Sequence, residues 1–105
     1  MKGEVIMNPK EQYQKNTSAI LSKDFEDEVI LLSMDGNLTD LEKVYIITGA
    51  AGIRIWKLLD RKRSAGEIKK IIINEFEVDP KKAENDLASF LNELKNKRLI
   101  KGGEV

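Results

Sequence analysis

The 105-residue sequence contains no cysteine and no histidine. Their absence excludes disulfides, thiolate nucleophiles, Ser-His triads, imidazole acid–base chemistry and nearly every transition-metal site. Only metals that accept all-oxygen ligands remain. There is no excess of either charge, with 18 basic against 18 acidic residues and a pI near 6.3. A nucleic-acid binder draws most of its affinity from neutralising phosphates, so this balance counts against one. Nor is there an apolar run of the ~18 residues that a membrane span needs, or a signal-peptide pattern at the start. These absences predict a cytoplasmic protein with no membrane and no nucleic-acid partner. The length suits one domain with a single core.

What is present changes period halfway along. Residues 1–17, "MKGEVIMNPKEQYQKNT", are polar and irregular, and read as a flexible arm. A first strand is expected within Ser18 to Phe25 and a second in Glu28 to Met34, "EVILLSM". The second is almost continuously apolar, as for a strand covered on both faces. "MDGN" suits a hairpin turn, and Val44 to Ile47 give a third strand. Short links between three strands predict an antiparallel meander.

From Ala50 the apolar spacing becomes helical. Ile53, Trp56, Leu58 and Leu59 form the inner face of a first helix that runs to Asp60. Ser64 and Glu67 form a capping box for a second, about Ala65 to Phe76, which buries Ile68, Ile71, Ile72 and Phe76. Asp79 as N-cap and Pro80 at the first helical position open a third, about Pro80 to Lys97. It carries Ala83, Leu87, Phe90, Leu91 and Leu94 inward. "RLIKGG" adds a short strand or wing, and residues 102–105 fray. The fold class is α+β: a three-stranded antiparallel sheet followed by three helices, in a winged helix-turn-helix-like outline. The domain spans residues 18–101.

Several segments imitate binding motifs. "TGAAG", Thr48 to Gly52, lies between a strand and a helix like a dinucleotide-binding turn. Only G-x-x-G is present, and no parallel strand follows the helix, so the turn is a joint. Gly49 permits it, Thr48 is a candidate cap and Gly52 allows close packing. The acids Asp24, Glu26, Asp27 and Glu28 lack the glycine of a calcium loop and read as a solvated turn. Arg61, Lys62 and Arg63 sit where cations favour a helix C-terminus. Trp56, beside Ile53 and Leu59, reads as core rather than a stacking platform. No cofactor, metal ligand or catalytic residue is expected. The alternative of a winged-helix DNA-binding regulatory module meets an obstacle in the third helix, where Asp79, Glu84, Asp86 and Glu93 would repel phosphates.

The third strand, "VYIIT", is an edge of the meander with no proline or charge to blunt it. An open edge of this kind is either hidden or used. It can take an extended peptide as an added strand, or pair with itself in a homodimer. Val44, Ile46 and Thr48 face one side and Tyr45 and Ile47 the other, with the inner set not fixed by sequence. On the third helix, Lys82, Asp86, Ser89 and Glu93 form one flank, and Glu84, Ala88, Leu91 and Lys95 the other. The Asp86 flank, with the edge of Phe90, is taken as the side facing the strand.

In their order and spacing, "TGAAGIRIWKLLD", "SAGEI", "FEVDP", "AENDLASFLNEL" and "LI" resemble the PqqD-like family, the RiPP recognition elements, over roughly Ser18 to Ile100. Two family positions differ. The usual Leu-Asn before the first helix falls on Thr48-Gly49, and a frequent glycine falls on Arg61. The resemblance implies a non-catalytic module that binds the leader segment of a ribosomally made precursor peptide and presents it to a modifying enzyme. That enzyme is often a radical SAM protein or a maturation protease. The implied site is the edge of the third strand, Val44, Tyr45, Ile46, Ile47 and Thr48, together with Lys82, Asp86, Ser89, Phe90 and Glu93 of the third helix.

Overall fold

The computed structural model describes residues 8–16, 20–33 and 44–103. In chain order, Gln12–Lys15 form β1, Ile20–Asp24 β2, Glu28–Ser33 β3 and Val44–Thr48 β4. Ala50–Leu58 form α1, Arg63–Ser64 β5, Ala65–Phe76 α2, Pro80–Asn96 α3 and Ile100–Gly103 β6. The expected meander is there: β2, β3 and β4 pair antiparallel in that order. Val29 and Leu31 of β3 are buried, with Ile47 opposite Val29 and Tyr45 opposite Leu31. Ile30 and Leu32 are only half-buried, so the helices cover one face of this sheet and not both. The "MDGN" turn lies outside the described residues.

Two strands were not legible, β1 and the two-residue β5. The expected flexible arm contains β1, the centre of a second sheet ordered β5-β1-β6. Tyr13 is buried and lies opposite Gly102 and Arg63. The segment 8–16 grips all three helices. Lys15 N–H donates to Leu59 O at 3.0 Å, Ala65 N–H to Glu11 O at 2.9 Å, and Asn16 N–H to Leu99 O at 3.0 Å. The Lys15 ammonium lies 4.6 Å from the Trp56 ring centroid and pairs with Asp60. Lys95 of α3 pairs with Glu11 at 3.0 Å. These bonds give regular partners to backbone groups that a loose arm would leave to water.

The helix boundaries follow the capping chemistry with three corrections. Gly49 rather than Thr48 is the N-cap of α1, with φ 88° and no side-chain capping bond. That positive φ is why a glycine stands there. Secondly, α1 ends at Leu58, short of Asp60. Ser64 Oγ does accept from Glu67 N at 3.1 Å, but the Glu67 carboxylate turns to Arg63 at 2.6 Å instead of closing the box. Arg63 also donates to Leu58 O at 2.8 Å, so it caps α1 while Arg61 and Lys62 stay exposed. Asp79 accepts from Lys82 N at 3.0 Å, with Pro80 opening α3. The core unites Trp56, Leu59, Ile68, Leu87, Leu91 and Leu94 with the inner face of β3 and β4. Among the described residues, no helix is long and apolar enough to cross a membrane.

Candidate functional site

β4 pairs with β3 on one side only, and its other edge meets no strand among the described residues. The alternation left open by the sequence is settled by burial. Ile47 is 2% exposed and Tyr45 half-buried, both turned toward the helices. Val44 and Ile46, 39% and 50% exposed, lie with Thr48 on the far face of the sheet. Along its edge β4 therefore offers backbone groups to a fourth strand and Tyr45 and Ile47 to whatever lies between that strand and α3.

Ion pairs fix which flank of α3 faces β4. Glu84 meets Lys69 of α2 at 2.8 Å and Lys95 meets Glu11, while Ala88 and Leu91 are buried. That flank is thus turned to α2 and β1. The opposite flank faces β4 and α1. The Glu93 carboxylate lies beside the Tyr45 hydroxyl, and burial together with that carboxylate pushes the phenol up to about 12. A Cβ placed on Gly52 of α1 would lie 3.2 Å from Ile47 Cγ2 and 3.9 Å from Phe90 Cζ. The glycine is what lets α1, β4 and Phe90 meet this closely.

Beyond Phe90 the groove opens into a hollow of about 220 Å³, walled by Gly52, Ile55, Ile72, Val78, Leu87 and Phe90. Lys82 and Asp86, paired at 3.1 Å, also border it. The hollow thus lies among α1, α2 and α3, and Gly52 and Phe90 are its border toward Ile47 of β4. Ser89 is exposed and does not border the hollow. Two residues outside the expected set lie here as well. Val78, in the segment that connects α2 and α3, borders the hollow. Lys97, whose ammonium lies 5.7 Å from the Tyr45 ring centroid, follows Glu93 by four residues. Extending the helical period one step would have included it.

Among the described residues, no three His, Cys, Asp or Glu side chains gather in a way that could hold a metal ion. The strongly basic stripe of a DNA-reading helix is missing too, since Lys82 and Lys95 are each in an ion pair. The arrangement defines a class of small α+β domain in which an open sheet edge lies beside an amphipathic helix.

The sequence profile of the family described as Coenzyme PQQ synthesis protein D (PqqD) matches residues 28–100. This chain belongs to that family. The fold is also similar to a solved structure described as TbiB1 in complex with the TbiA(beta) leader peptide. The two chains are 30% identical with a TM-score of 0.70, over 88% of this chain and 99% of the other. No curated protein sequence matches this chain.

Proposed function

We propose that this protein binds the leader segment of a ribosomally made precursor peptide and presents it to a modifying enzyme, without itself catalysing a reaction. The observation that carries the proposal is the open β4 edge facing the Lys82–Asp86–Phe90–Glu93 flank of α3, in a fold similar to TbiB1, which was solved with a leader peptide. Strand addition draws affinity from backbone hydrogen bonds and selectivity from pockets for alternate side chains. The five residues of β4 offer an edge of roughly 17 Å. A peptide laid there turns every second side chain toward α3, and the hollow bordered by Phe90 and Val78 has room for one large apolar side chain.

The partner enzyme is a radical SAM protein or a maturation protease, and the meeting place is the cytoplasm. An edge-paired homodimer would occupy the same edge, so peptide and second copy would compete for it. The test is titration of the cognate leader into isotope-labelled protein. Amide shifts along Val44–Thr48 and at Asp86, Phe90 and Glu93 are expected. Shifts confined to α1 and α2, with β4 silent, would overturn the proposal.

A further inference from the structure

Four cations follow one another along the C-terminal end of α3 and into β6: Lys95, Lys97, Arg98 and Lys101. Lys95 is paired with Glu11. Lys97 is exposed, is in no ion pair among the described residues, and lies over the Tyr45 ring. The Glu93 carboxylate lies beside the Tyr45 hydroxyl. The face of β4 beside α3 thus has two unlike ends. At Ile47 it is apolar, bordered by Phe90 and the hollow. At Tyr45 it is polar, with an ammonium ion that is in no ion pair among the described residues.

We infer that Lys97 is a specificity-determining residue that selects an acidic side chain in the bound peptide, two positions from the apolar residue that faces Phe90. The inference rests on the leader-binding reading and adds the chemistry of one position. In a sheet, residues directly opposite share a face, with Cβ atoms about 5 Å apart. The peptide residue opposite Ile47 therefore projects toward Phe90. The one opposite Tyr45, two residues along, projects over the ring toward Lys97. A carboxylate there would pair with the Lys97 ammonium, whereas a lysine would meet a like charge. At the other end of β4 the neighbours are acidic: Glu26 and Asp27 border a hollow with Gly49 and Ala50. An acidic residue is disfavoured there, which ties the charge to the Tyr45 end.

The test is selection from a displayed library of random peptides on the full chain, with binders then checked by amide shifts along β4. Peptides that bind β4 are expected to carry Asp or Glu two residues from a large apolar residue. Replacing that acid by its amide should weaken binding roughly three- to fivefold, an effect that shrinks at high salt. Lys97→Glu, with its fold verified by circular dichroism, should turn the preference to Lys or Arg. β4 binders with no acidic preference, or a preference unchanged in Lys97→Glu, would overturn the inference and leave the leader-binding reading standing. Failure to select any peptide that shifts β4 would overturn both.

Discussion

At Gly52 a single hydrogen in place of a methyl group sets how closely α1 approaches β4. Ile47 and Phe90 are the neighbours, and Ile47, the closer of the two, is packed into the core. Gly52→Ala is therefore expected to destabilise the protein by about 1–2 kcal/mol, read from the urea midpoint, and to narrow the hollow. The gain in helix propensity offsets part of that cost but not the overlap. Sequence alone pointed to this glycine because a strand and a helix joined by so short a turn must pack tightly. It could not distinguish Thr48 from Gly49 as the cap, since both residue types stand at N-caps and only the backbone angle decides. Trp56 was legible as core from its apolar neighbours, whereas the lysine that covers its ring lies 41 residues earlier, by subtraction of the two positions. Nothing in local spacing announces a contact of that kind.

Among the elements, β4 and the segment 8–16 carry the sharpest expectations. Proline at Ile46 removes a backbone N–H and fixes φ, so it costs β4 either its outer edge or its pairing with β3. Ile46→Pro should abolish leader binding in a calorimetric titration, while Lys62→Ala, at an exposed position that does not border the hollow, should leave it unchanged. Removing the chain through Asn16 should lower stability by on the order of 3 kcal/mol in urea, because Tyr13 is lost from the core and Trp56 is uncovered. The helices were readable because period and caps are local signals, and the meander because its hairpins join neighbours. β1 was not. It has one apolar residue, Tyr13, among Gln12, Gln14 and Lys15, and its partners lie at residues 63–64 and 100–103. The flank of α3 facing β4 was open for a related reason: ion pairs to α2 and β1 decide it, and one of them needs the strand that was missed.

For the molecule as a whole, three carboxylates sit at joints between elements, and each is held below its ordinary value of 4.5. For Glu11 burial works the other way, but the Tyr13 hydroxyl and the Lys95 ammonium outweigh it. A hydrogen bond from Arg54 lowers Glu75, and one from Lys69 lowers Glu84. A carboxylate whose folded value is depressed contributes stability that is complete above 4.5 and is lost as the pH falls through the folded value. The urea midpoint should accordingly be flat near neutrality and drop in acid; a midpoint indifferent to pH below 4.5 would show these joints to be inert. The second sheet has a further consequence, in time. β2, β3 and β4 can zip together as soon as residues 20–48 leave the ribosome, since each pairs with its neighbour in sequence. β1 leaves earlier still, yet it must wait: Gln12 pairs with Gly103, and Glu11 with Lys95. Contacts of such separation are slow to close. During synthesis the open edge of β4 thus exists before α3 is fastened beside it, and the second sheet is completed only when the last strand arrives.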